Sequence, residues 1–258
     1  MGSTYEEMMK NSEYLPFQLG YLTAEMREKA KRDLNEKEDT RSSFIEELRE
    51  LILNEKNLKC RTDDEFLLQF LRSRKFNVKK SFACLKKLYN IFGDSYSDVF
   101  ADHNVSSTRE ALQSGFGSHL PYRDEEGTAV LLVKTSNWDT NKYDTIGIFN
   151  SITAMVMKAI DDPATQVCGV HLLIDVSGMS LQHVRCLTAR YLYLVSQGVQ
   201  IYFHNDNKSL QKLIPKAILP TEYGGDNTEF DPAVWSSREL GMFLPKYLKI
   251  INHCSINN

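Results

Sequence analysis

Residues Ile201 to Asp226 read IYFHNDNKSLQKLIPKAILPTEYGGD. Ile201 and Phe203 alternate with Tyr202 and His204, the period of a short strand. Asn205 to Asn207 make a polar turn, and Leu210, Leu213 and Ile214 then fall at helical spacing until Pro215 ends the helix. The run closes on Leu219-Pro220 and Tyr223-Gly224-Gly225, a turn-rich ending. One short stretch thus holds a strand, a helix and a capped exit.

The same alternation extends upstream. Ala129–Val133 is a compact apolar strand behind the turn Asp124-Glu125-Glu126-Gly127, and Val170–Val176 is a second buried strand stopped at Ser177-Gly178. Between them, Asp144 to Ala159 reads as a helix apolar over more than one stripe, with small breaks at Gly147 and Thr153. Leu181–Val195 is helical, and Gly198 leads into the Ile201 strand. Strands alternating with helices predict an α/β fold with a mainly parallel sheet. A polar turn near Asp231 precedes a last helix around Arg238 to Leu244.

The first hundred residues read as helices alone. Thr23 is placed to cap one helix, and a second runs from about Thr40 to Asn54 with Phe44, Leu48, Leu51 and Ile52 on one face. Thr62-Asp63-Asp64-Glu65 has the spacing of a capping box with Thr62 as cap. Asn77 caps a further helix that turns Phe82, Leu85, Leu88, Tyr89 and Phe92 inward and stops at Gly93.

Charged residues at 25% and hydrophobic residues at 42% are ordinary for a globular protein, and a net charge of −3 argues against general nucleic-acid binding. No apolar run is long enough to span a bilayer, and the N-terminus has no apolar signal region. Glu6 stands where a myristoylation motif needs Ser or Thr. Five scattered cysteines without a CxxC pair predict reduced thiols in a cytoplasmic protein. Walker, GxGxxG and GxSxG motifs are absent, and six histidines show no metal spacing, so neither an enzyme nor a cofactor is expected. Asp175 at a strand end is read as a turn cap rather than a general base.

In order along the chain, TDDEFLLQFLRSRK (Thr62–Lys75), GTAVLLVKTSNWD (Gly127–Asp139), GVHLLIDVSGMS (Gly169–Ser180) and the opening "ILP" and "EYGG" resemble the CRAL-TRIO lipid-binding and transfer family. That family includes the alpha-tocopherol transfer protein and cellular retinaldehyde-binding protein. The resemblance implies a helical N-terminal module over residues 1–104 and a lipid-binding domain over 105–258. It also exposes an omission. In the family, a strand and a mobile lid helix lie between the counterparts of Leu181–Val195 and Ile201–His204. Here Ser196-Gln197-Gly198-Val199 joins the two directly, leaving out about thirty residues or a little more, the size of one βαβ unit. The lipid domain is therefore read as truncated internally near Gln197-Gly198, with an apolar groove left open to water.

Apolar helices of this kind are more often plain core. The resemblance instead makes Phe149, Ile152, Thr153 and Val156 of the long helix, with Val133 and Leu173 of the strands, the walls of a lipid pocket. Thr153 would be its polar anchor. Tocopherol, retinoids and phospholipids all suit such a pocket. From Arg72 to Lys87 there are seven basic residues and no acid, by default a solvated helix face. Arg72 matches a family arginine that contacts phosphoinositide phosphates, so Arg72 and Lys75 are the expected headgroup contacts, with a peripheral, transient membrane association. The alternative is a lidless regulatory protein that contacts membranes or partners without carrying lipid efficiently.

Overall fold

The computed structural model describes residues 14–56, 58–92, 105–187, 204, 206–238, 240 and 255–256. Four helices come first among the described residues: α1 (Ala24–Leu34), α2 (Glu38–Leu53), α3 (Asp64–Ser73) and α4 (Val78–Asn90). A two-residue strand β1 (Leu58–Lys59) lies between α2 and α3 and pairs antiparallel with β5 (Ser255–Ile256). Thr23 caps α1 by accepting from the Met26 amide, and Asn77 caps α4 by accepting from that of Lys80. At α3 the cap sits one residue later than the capping-box reading places it. Asp63, not Thr62, accepts from the Phe66 amide, and the Arg61 guanidinium steadies its carboxylate at 2.9 Å. The Thr62 carbonyl is taken up by Arg49 of α2 at 2.9 Å. The apolar faces of α2, α3 and α4 meet in one cluster around Ile45, Leu48, Leu67, Leu71, Leu85 and Tyr89.

The second half holds α5 (Val105–Gln113), β2 (Gly117–His119), β3 (Ala129–Lys134), α6 (Thr145–Ile160), α7 (Pro163–Cys168), β4 (Val170–Asp175), α8 (Leu181–Cys186) and the single turn α9 (Asn207–Leu210). The sheet order is β2-β3-β4. β3 and β4 are parallel, as expected of a crossover through α6 and α7, but β2 is antiparallel to β3, so the sheet is mixed. Asp144 caps α6 through the Gly147 amide. Asp162 caps α7, with Pro163 in its first turn, where a missing N–H costs nothing. Residues 232–238 are helical, earlier than expected, because the Asp231 carboxylate accepts from the Ala233 and Val234 amides.

The unusual apolarity of α6 has a packing cause. One side, through Ile146, Ala154 and Met157, joins the core of the helical module. The other, through Ile148, Ile152, Met155 and Ala159, packs on Ala129, Leu131 and Val133 of β3. A helix buried on two sides must be apolar around most of its circumference. Gly147 belongs to this arrangement, since a Cβ there would lie 2.9 Å from the Ser107 backbone of α5.

The sequence reading of Val170–Val176 as a buried strand is corrected. β4 is the outer strand among the described residues, with Val170 38% and Ile174 46% exposed. The expected strand at Ile201–Phe203, the stop at Gly93, the helix beyond Leu187 and most of Arg238–Leu244 lie outside the described residues.

Candidate functional site

Three of the four stretches that carried the resemblance are joined to each other. The carboxylate of Asp175, from GVHLLIDVSGMS, accepts from the Ser177 amide at 2.8 Å and from the hydroxyl of Tyr223, in EYGG, at 2.9 Å. Burial alone would raise the pKa of Asp175, but these two bonds and nearby Lys134 hold it below the usual carboxylate value. The same burial and the bond to Asp175 push the Tyr223 hydroxyl far up, so it stays a donor. Lys134, ending the GTAVLLVK strand, pairs with Glu222 next to Tyr223. The double glycine is needed because a Cβ on Gly225 would fall 1.9 Å from the Leu219 carbonyl oxygen. Asp175 is thus a turn cap and a tie between motifs.

The two faces of the sheet differ. Parallel pairing sets Leu131 beside Leu172 and Leu132 beside Leu173. Leu131, Val133 and Leu172 face α6, while Val130, Leu132 and Leu173 face Leu210, Ile214, Ile218 and Leu219. The six wall residues read from sequence therefore divide. Val133 and Phe149 are buried in packed core. Ile152 and Val156 are half-buried on the α6 side, where Leu172, Cys186 and Leu187 are half-buried against the same cluster. Leu173 lies on the opposite face. Thr153 is half-buried, but its hydroxyl already donates to the Phe149 carbonyl at 2.9 Å. What the geometry assembles is an apolar face of Ile152, Val156, Leu172, Cys186 and Leu187, incompletely covered. Leu172 was missed because the period-2 pattern of a strand does not say which parity faces the helix until the register is known.

α8 is held to this face by a histidine. The His183 Nε2–H donates to the Trp138 carbonyl (2.7 Å), and Nδ1 accepts from the Ser180 amide (3.0 Å). The Ser180 hydroxyl is 2.8 Å from the same Nδ1, completing a helix cap. Burial pushes the Cys60 thiol up to about 11 and raises that of Cys168, the opposite of an activated nucleophile.

The basic run divides as well. Arg72 is 5% exposed, and its guanidinium donates to both oxygens of Glu36 at 2.8 Å and to the Gln166 side-chain Oε1 at 2.7 Å. It ties the helical module to α7. Lys86 pairs with Glu55 at 2.9 Å. Arg74, Lys75, Lys79 and Lys80 are exposed around the turn between α3 and α4. No helix among the described residues is long and apolar enough to cross a membrane.

Residues 113–197 match the sequence profile of the CRAL/TRIO domain. The chain is also similar to Clavesin-2 of Mus musculus and of Homo sapiens, 29% identical over 256 aligned positions that cover 83% of this chain and 78% of each relative. Clavesin-1 of Xenopus laevis is 29% identical as well, covering 85% and 78%. A share of 83% of 258 residues is about 214, fewer than the 256 aligned positions. About 42 positions of the relative therefore face gaps in this chain. The domain match ends at Gln197, the point where the sequence reading places the omission. Residues 113–197 thus carry a CRAL/TRIO domain, in a chain similar over most of its length to the Clavesins, and three of the four collinear motifs are tied together by Asp175, Tyr223 and Lys134.

Proposed function

We propose that this protein binds a small hydrophobic lipid of the tocopherol, retinoid or phospholipid class and moves it between membranes, with no bond made or broken. The observation that carries the reading is the α6-side face, where Ile152, Val156 and Leu172 remain partly open although their neighbours in the same cluster are closed. Aliphatic side chains left half-wet within an otherwise packed cluster gain by being covered, and an acyl or prenyl chain would cover them. Residues 105–258 would hold the ligand and residues 1–104 would buttress α6. Docking to phosphoinositides would fall to Lys75 with its exposed neighbours Arg74, Lys79 and Lys80, while Arg72 would act from beneath by holding the α3 end in place. Association with the membrane would be peripheral and transient, from the cytoplasm.

The second reading, a lidless regulatory protein, is favoured by the exposed outer edge of β4 and by the 42 or so positions that the chain lacks. Native mass spectrometry of protein purified from eukaryotic cells, with lipid analysis of the extract, separates the two. A stoichiometric hydrophobic ligand supports carriage and names its class. A folded, empty protein that transfers no lipid between vesicles refutes carriage and leaves the regulatory reading.

A further inference from the structure

Ten large apolar side chains are conspicuously exposed among the described residues, and six of them fall between Val170 and Val184. At the far end of that segment, Val176 is 58%, Met179 39%, Leu181 77% and Val184 53% exposed. Leu181 and Val184 stand at i and i+3 on one side of α8, so they share a surface. The opposite side of α8 is anchored, by His183 on the Trp138 carbonyl and by Cys186 against the α6 cluster. The helix is therefore fixed in place while presenting bare aliphatic groups outward.

The described residues from Val176 to Leu187 include no Asp or Glu, and exposed Arg185 adjoins Val184. Asp175, next in the sequence, is occupied by the Ser177 amide and the Tyr223 hydroxyl. The six exposed side chains between Val170 and Val184 include no Trp or Tyr, the residues that anchor protein–protein contacts. Aliphatic groups beside an unopposed arginine suit the boundary between acyl chains and anionic headgroups.

We infer that the corner made by Val176, Met179 and α8 is the edge by which the protein enters the interfacial layer of an anionic bilayer, Leu181 and Val184 inserting and Arg185 meeting lipid phosphates. This deepens the lipid-carrier reading by naming a surface for membrane entry, separate from the basic turn between α3 and α4.

The test is sedimentation of the full chain with phosphatidylcholine vesicles, with and without phosphatidylserine. Leu181→Ser combined with Val184→Ser should lower partition onto the anionic vesicles by about tenfold, because interfacial binding follows buried apolar area. Leu53→Ser, at a side chain 70% exposed on α2, should leave it unchanged. Thermal melts of all variants exclude unfolding as the cause. In a second measurement, the added fluorescence of Leu181→Trp should be quenched by brominated acyl chains. Wild-type partition of the double variant, or a residue-181 indole untouched by bromolipid, would overturn the inference. If binding instead depends only on Lys79 and Lys80, this edge is wrong while lipid carriage still stands. Insertion at residue 181 in a protein that moves no lipid would sustain this edge and refute carriage.

Discussion

Replacing Arg72 with Ala separates a phosphate ligand from a buried tie. The guanidinium donates to both Glu36 oxygens at 2.8 Å and to the Gln166 side chain at 2.7 Å, with the two charged partners 5% and 7% exposed. Removing it strands the Glu36 carboxylate in the interior, and an orphaned buried charge of this kind costs about 3–5 kcal/mol. Arg41 lies 3.7 Å from the same carboxylate and is 43% exposed. It offers partial compensation, which places the cost near the lower figure, about 3 kcal/mol. For a chain of this size that is a fall in Tm of roughly 6–12 °C. Lys should restore only part of it, because an ammonium cannot make the two-pronged contact. Arg72→Met with Glu36→Leu should recover more than either single change, since no charge is then left alone. The assays are thermal and urea unfolding beside flotation on phosphoinositide vesicles. An Arg72→Ala protein that melts like wild type and yet loses phosphoinositide binding would refute the structural assignment.

Other positions carry expectations of the same kind. His119 is buried against Phe17, and its Nε2–H donates to the Met155 carbonyl at 3.0 Å. Burial depresses its pKa from 6.5 to about 3. The unfolded chain therefore takes up a proton that the folded one refuses. Stability should fall as pH drops below 6.5, by about 2 kcal/mol near pH 5; urea titrations across that range should show it, and His119→Phe should flatten the slope. Gly147→Ala brings a methyl to 2.9 Å from the Ser107 backbone, an overpacking of about 1–3 kcal/mol readable as a lower urea midpoint. Adjacent leucines should behave differently. Leu172→Ser should lower lipid retention at modest cost in stability, whereas Leu173→Ser, on the Leu210–Leu219 face, should lower the melting temperature more than it alters retention. Equal effects at the two positions would contradict the assignment of faces.

Helix ends encoded by near neighbours could be read directly. Asn77 and Asp144 cap as their local patterns require, since the bond closes within three residues. Thr62 and Asp63 are both competent caps, and the choice is made by Arg49 and Arg61 reaching in from elsewhere. α7 announces itself by Asp162-Pro163 and passed unnoticed because it is so short. β2, Gly-Ser-His, has no strand propensity of its own and exists because β3 offers it a partner. The doubly apolar α6 was legible as a feature of the site, but its cause, two cores on two sides, was not. The role of Arg72 was hidden for a related reason. Its partners, Glu36 and Gln166, stand 36 and 94 residues away, and a basic run says nothing about which member turns inward.

The shortened chain sets the terms on which a ligand can be held. Covering the half-wet remainder of Ile152, Val156, Leu172 and Leu187 yields about 1 kcal/mol for each, so roughly 4 kcal/mol on the protein side. A lipid pressed against one face buries half its surface, on the order of 200 Å², worth about 5 kcal/mol more. Association itself costs about 4–15 kcal/mol, which consumes most of that sum. A ligand seated on this face alone would dissociate at roughly 0.2 mM or above. Retention strong enough for transfer therefore requires a second surface over the ligand. The outer edge of β4, with Ile174 46% exposed, is a surface on which a further strand could continue the sheet. Carriage by this chain thus depends on what closes the face above Ile152 and Val156. An added peptide carrying the Clavesin segment that faces the gap in this chain should tighten lipid retention if closure is the limiting term. If retention is already slow without it, the one-faced estimate fails and a cover is already present.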